Sequence, residues 1–204
     1  MSLPSHIDIA IIGAGAAGIA AARRVLAAIP GAEEAVSPLD DTPALRLAQA
    51  FVQRKPVEVQ LGSSDKSTVR FNGAERWLFL GGDVGVGKTI AATWLLAHWR
   101  DLGFFVRACD LAKLDDDLHD KAKTALVLLL DDLGDEYIAQ SQFGTSRLRD
   151  LLVHRHAFDL PTVATMNMKR TEFAERFGER ANDRLEEMGK FVAVVGASRR
   201  KKRG

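Results

Sequence analysis

Between Arg76 and Val195, short uninterrupted apolar runs alternate with longer stretches in which apolar residues recur every three or four positions. The short runs are "WLFL" (77–80), "FFVRA" (104–108), "ALVLLLDD" (125–132), "TVATMN" (162–167) and "FVAVV" (191–195). Apolar runs of this length, without polar alternation, predict strands covered on both faces, as in a parallel sheet. The longer stretches are "KTIAATWLLAHWRDLG" (88–103), "DLAKLDDDLHDKAKT" (110–124), "GTSRLRDLLVHRHAF" (144–158), "RTEFAERF" (170–177) and "ERANDRLEEM" (179–188). Their spacing predicts amphipathic helices, the first of them stopped by Gly103. Strand and helix in strict alternation predict an α/β fold: a three-layer αβα arrangement around a five-stranded parallel sheet.

The first quarter of the chain has a different rhythm. Residues 1–55 are alanine-rich and read as helical, interrupted by "IPGAEEAVSPLDDTP", a loop carrying Pro30, Pro38 and Pro43. "ALRLAQAFVQR" (44–54) has helical spacing, and "VEVQL" and "STVRF" alternate on either side of "GSSDK" as a small hairpin would. The expected organisation is an N-terminal helical arm (1–55), a hairpin (56–75), the α/β core (76–198) and a basic tail (199–204).

Composition narrows the class. The 204 residues are 47% hydrophobic and 27% charged with a net charge of +1, a globular composition without a global field to attract nucleic acid. Charge is instead local: Arg199, Arg200, Lys201, Lys202 and Arg203 close the chain, and "KLDDDLHD" is acidic. A lone Cys109 can form neither an internal disulfide nor a cysteine-based metal site, which points to a reducing compartment. The apolar stretch from Ile9 to Ala22 is shorter than the roughly 20 residues of a membrane span and has no basic flank before it. A cytoplasmic protein without a membrane partner is expected.

Chemistry enters at the first strand–helix junction. Gly82-Asp83-Val84-Gly85-Val86-Gly87-Lys88-Thr89 fits G-x-x-x-x-G-K-[ST], follows an expected strand and opens an expected helix. Glycines let backbone N–H groups converge on an anion, and the helix N-terminus adds its partial positive charge. The expected ligand is ATP, held by residues 82–90 including Ile90, with Lys88 on the β- and γ-phosphates and Thr89 offering a hydroxyl to Mg²⁺. Asp131, at the end of "LVLLLDD", is the expected second Mg²⁺ holder. Asp132 is placed to orient or deprotonate an attacking water.

Four segments in this order, "GGDVGVGKT", "LVLLLDDLGDE", "LPTVATMNM" and "ERFGERANDRLEEMGKFVAVVGASRR", resemble the DnaC/IstB-like branch of the AAA+ P-loop ATPases over about residues 76–200. That branch includes replicative-helicase loaders and transposition helper ATPases, and has no C-terminal helical lid. The resemblance implies that Asn167 senses the γ-phosphate or the water. It also implies that Arg184, or Arg180 four residues before it, reaches the ATP of a neighbouring subunit, and that Arg199 lies near a second sensor. A trans arginine implies self-association as a ring, spiral or filament. The other implied partners are a helicase or transposase, and DNA. The alternative for the two arginines is an exposed helix face paired with Glu186 or Glu187. The acidic "KLDDDLHD" replaces a longer insertion of related loaders and repels phosphate, which argues against DNA contact there.

A second glycine pattern, Gly13-Ala14-Gly15-Ala16-Ala17-Gly18, fits G-x-G-x-x-G. A dinucleotide site also needs a following strand that ends in an acid. Glu33 and Glu34 stand at the right distance with no apolar strand to carry them. Flavin or NAD chemistry is therefore the weakest reading; a nucleotide-binding module without turnover is the intermediate one.

Overall fold

The computed structural model describes residues 11–12, 43–53, 56–60, 68–72, 74–99, 103–134 and 142–195. Among the described residues the strands are β1 (Ile11–Ile12), β2 (Val57–Gln60), β3 (Thr68–Phe71), β4 (Trp77–Gly81), β5 (Gly103–Arg107), β6 (Val127–Leu133), β7 (Thr162–Met166) and β8 (Gly189–Ala193). The helices are α1 (Pro43–Gln53), α2 (Lys88–Trp99), α3 (Asp116–Thr124), α4 (Gln142–Ala157), α5 (Arg170–Phe177) and α6 (Glu179–Met188).

β5, β6, β7, β4 and β8 lie side by side in that order, every pair parallel, as the apolar runs required. Their alternate residues feed two cores. Leu78, Leu80, Phe105, Leu129, Val163 and Val192 point toward α1 and α2. Trp77, Phe79, Phe104, Leu128, Leu130 and Ala164 point toward α3, α4, α5 and α6. The α/β, three-layer αβα architecture is thus as expected. On the second face Trp77 stacks on Phe79 at 5.8 Å, and Phe79 meets the edge of Phe173 at 5.6 Å. Aromatic pairs in these orientations add to the burial energy.

Several local expectations are corrected. Ile11–Ile12 is strand rather than helix, and adds to the sheet in parallel beside Phe105 and Val106 of β5. α1 does not stand apart: Ala44, Leu47, Ala48 and Phe51 are fully buried in the cluster that holds Leu80 and Val86. Gly103 opens β5, opposite Val127, instead of capping α2. The helix expected over 110–124 is broken in two. Residues Ala108–Lys113 form a 3-10 turn, Leu114 turns extended, and Asp115 caps α3 by accepting a hydrogen bond from the Leu118 N–H at 2.8 Å. An aspartate before a helix satisfies an N–H that has no intrahelical partner, so the acidic run starts a helix here. The hairpin forms as expected, with Val57 opposite Phe71 and Gln60 opposite Thr68.

Candidate functional site

The glycine loop sits between the end of β4 and the start of α2. Gly82 (φ 124°), Gly85 (φ 90°) and Gly87 (φ 96°) all adopt conformations that L side chains avoid. At Gly82 a Cβ would also run into the carbonyl of Val194, which follows β8. Val86 drops its side chain into the α1–α2 core and anchors the loop from below, while Asp83 and Val84 stay exposed. Lys88 is 5% exposed, and its ammonium donates to the carbonyls of Gly82 and Asp83, both at 2.7 Å. A held cation, a curl of glycine backbone and the N-terminus of a twelve-residue helix all favour an anion at one point.

Next to the loop, the β6–β7 ladder slips. Leu130 faces Ala164, but Leu133 faces Met166, so Asp131 and Asp132 together oppose Thr165. An extra residue on one strand bends it and re-aims its side chains. Asp132 takes φ 56°, which is uncommon for a non-glycine residue. Thr165 is fully buried; its hydroxyl donates to Asp131 Oδ1 at 2.6 Å and accepts from the Asp132 N–H at 3.0 Å. Thr89 Oγ1 donates to the same Oδ1 at 3.1 Å. Burial pushes the Asp131 carboxyl above its ordinary value, with the Asp132 charge adding to the rise; the Thr165 and Thr89 hydrogen bonds oppose it. Asn167, exposed, lies with Nδ2 3.5 Å from Asp132 Oδ1, a contact weak enough to leave both groups free for a third.

The structure places Thr89 against Asp131 and Asn167 beside Asp132 at the carboxyl edge of the sheet, with Lys88 bonded within the adjoining glycine loop. Ile90 is exposed on the first turn of α2. Both hydrogen bonds to Asp131 fall on Oδ1, leaving Oδ2 without a partner among the described residues. Also among the described residues, no three His, Cys, Asp or Glu side chains are placed to hold a metal. A cation here would draw its ligands from Thr89, Asp131, water and phosphate, a set of oxygens that suits Mg²⁺.

Arg180 and Arg184 belong to a different surface. Both lie on α6, Arg180 exposed and Arg184 half-buried, and among the described residues neither bonds to any member of the cluster above. Nor do they form the glutamate pairs that were the alternative. Glu186 pairs with Arg170, and Glu187 with His156 at 2.9 Å. Arg199, the basic tail and Gly13–Gly18 lie outside the described residues.

Two participants escaped the sequence. Thr165 was read as one more residue of an apolar strand. Its signal was a hydroxyl at a strand end, beside the paired acids of the neighbouring strand. Arg176, at the end of α5, donates to the carbonyl of Gly134 just past β6 at 2.8 Å. Gly134 has φ 95°, and a Cβ there would strike Met168.

No family model matches the chain, and no curated protein matches it. Solved structures do. A crystal structure of the DnaC helicase loader superposes with a TM-score of 0.58 at 23% identity, covering 78% of this chain and 92% of the other. A crystal structure of DnaI gives 0.58 at 22% identity, covering 89% and 93%. The chain shares its fold with these two proteins. AMPPCP-bound DnaA from Aquifex aeolicus shares that fold more distantly, at a TM-score of 0.51 and 16% identity over 59% of this chain and 40% of the other. Within this fold, the glycine loop after β4 and the acids near the end of β6 flank β7, so the site straddles the centre of the sheet. Among the described residues no helix is long and apolar enough to cross a membrane.

Proposed function

We propose that the chain is a Mg²⁺-dependent ATPase that acts as an assembly switch in DNA replication by loading a replicative helicase. The observation that carries this reading is the convergence of Lys88, Thr89, Asp131, Asp132 and Asn167 at one edge of the sheet. It is supported by likeness to DnaC and DnaI over more than nine-tenths of their chains.

ATP places its β- and γ-phosphates in the curl of residues 82–87. The Lys88 ammonium turns from the Gly82 and Asp83 carbonyls onto the phosphate oxygens. Thr89 turns its hydroxyl oxygen from Asp131 toward the cation, while Asp131 stays fixed by Thr165. Mg²⁺ held by Thr89 and Asp131 would supply charge neutralisation for the phosphates. Asp132 accepts a proton from the attacking water, and Asn167 orients that water or the γ-phosphate. Arg184, with Arg180 as the second candidate, reaches the site of a neighbouring copy. There a planar, always-charged guanidinium stabilises the spreading negative charge. Among the described residues no bond ties Arg180 or Arg184 to this chain's own cluster, which is compatible with action in trans. DNA and the helicase are the proposed further partners.

Phosphate release tests the reading. Wild-type protein with Mg²⁺ should turn over ATP, and Lys88→Ala should lose turnover by about 10²-fold or more, the scale of one charged transition-state contact. Unchanged turnover in Lys88→Ala would place the chemistry elsewhere. Arg184→Ala should keep nucleotide binding and lose turnover. Mixing it with Lys88→Ala subunits should restore part of the activity, because each supplies what the other lacks; no restoration would remove the trans role. Co-elution with a hexameric helicase in ATP, lost in ADP, tests the loading step.

A further inference from the structure

Thr165 stands where the sheet is irregular and where both acids of the site begin. It is fully buried, two residues before Asn167, and faces two residues of β6 rather than one. The polarity of its hydrogen bonds is forced. A backbone N–H can only donate, so the hydroxyl accepts from Asp132 at 3.0 Å. Its single proton is then committed to Asp131 Oδ1 at 2.6 Å. One hydroxyl thereby fixes the carboxylate rotamer of Asp131 and the bulged backbone that points Asp132 toward Asn167.

The two hydroxyls on Asp131 Oδ1 differ in kind. Thr89 is on the first turn of α2 and half-buried, and its bond is longer, at 3.1 Å. Thr165 is buried in the sheet and belongs to no ligand-facing loop. When Thr89 turns to a cation, Thr165 alone keeps Oδ1 occupied and Oδ2 presented.

We propose that Thr165 is a positioning residue that sets the metal affinity of the site by holding Asp131 and the Asp132 bulge in one geometry. This rests on the reading of the site as a Mg²⁺–nucleotide centre. Groups that orient a metal-holding carboxylate typically carry about 10- to 100-fold in metal affinity when removed. Thr165→Val keeps the branched shape and deletes both hydrogen bonds. Thr165→Ser keeps both.

The test is equilibrium binding of a fluorescent ADP to the full chain, in EDTA and across a Mg²⁺ titration. Thr165→Val should bind ADP in EDTA within about twofold of wild type and need ~10-fold or more Mg²⁺ for half-maximal enhancement. Thr165→Ser should follow wild type. A merely structural role would weaken binding equally with and without Mg²⁺, or leave the Ser variant as impaired as the Val variant; either result overturns the proposal. Thr165→Ala deletes the same bonds without a branched side chain to fit and carries the comparison if the Val variant does not fold. Wild-type protein that binds ADP with no Mg²⁺ enhancement would overturn the reading of the site itself. A normal Mg²⁺ response in both the Val and Ala variants overturns the role of Thr165 alone.

Discussion

Two buried charges, Asp131 at one end of the sheet and Arg155 at the other, are treated in opposite ways. At the carboxyl edge Asp131 is 6% exposed and bonded through one oxygen to two hydroxyls, with no partner on its second oxygen among the described residues. At the amino edge Arg155 is fully buried and has five acceptors. Its Nε donates to Thr162 Oγ1, and its two terminal nitrogens donate to the carbonyls of Ala122, Lys123, Ala125 and Pro161, all within 3.0 Å. Three of those carbonyls close the C-terminus of α3, whose last turn lacks intrahelical donors. Burial pulls the guanidinium down to about 9, which still leaves it charged at neutral pH. A buried charge with every nitrogen bonded fixes a structure. A buried charge with a bond left over waits for a ligand. In open α/β sheets ligands gather outside the carboxyl ends of the strands, and the division of labour here follows that rule.

The comparison breaks most clearly at Arg155. Arg155→Met should destabilise the fold by about 3–5 kcal/mol in chemical denaturation, because it strands a ring of buried carbonyls. A loss below about 1 kcal/mol would mean that the amino edge is not locked in this way. The mirror experiment is Asp131→Asn. It keeps an oxygen acceptor for both threonines and removes a charge that burial opposes. The folded carboxyl has a raised pKa, so its ionised form costs stability as pH rises above the unfolded value. Asp131→Asn should therefore unfold at or above the wild-type midpoint at neutral pH without ligand, while turnover falls by about 10²-fold or more. A large fall in the unfolding midpoint would make Asp131 a structural residue like Arg155.

Gly134→Ala comes next. Its positive φ and the contact with Met168 should cost about 1–3 kcal/mol and disturb the Arg176 bond just past Asp132. Thermal unfolding measures the first effect and ATP turnover the second. The smallest effect concerns His119, which packs under α4 with its ring nitrogen 3.3 Å from the Arg147 carbonyl. Burial lowers its pKa, and the nearby Arg147 and Lys123 charges add to this, while the Arg147 carbonyl and Asp150 oppose it. The unfolded imidazole takes up a proton near pH 6.5 and the folded one only at lower pH, so stability should fall as pH drops below about 6.5. His119→Gln should flatten that dependence between pH 7 and 5; an unchanged slope would assign it to other groups.

What the sequence disclosed and what it hid follow the same division. Runs such as "VLLLDDL" and "WLFLG" announced buried parallel strands because burial on both faces leaves no polar alternation. The glycine loop was legible because its positive φ values demand glycine. Arg155 was not, since its partners are backbone carbonyls, which carry no sequence signature, and "LLVHRHAF" looks like an ordinary basic helix end. Thr165 was hidden because a register slip between β6 and β7, not a spacing within either, brings it to both acids. The acidic run does not form one helix, because Asp115 acts as a cap once Leu111 and Leu114, just before it, are buried.

The central claim is that the carboxyl edge of this sheet binds a metal-bearing triphosphate. A crystal grown with a non-hydrolysable ATP analogue and Mn²⁺, measured for anomalous scattering, tests it most directly. The account predicts phosphates within the curl of residues 82–87, the Lys88 ammonium moved onto them, and a Mn²⁺ peak beside Thr89 and Asp131. A nucleotide bound elsewhere, or a metal peak away from those two side chains, would contradict it.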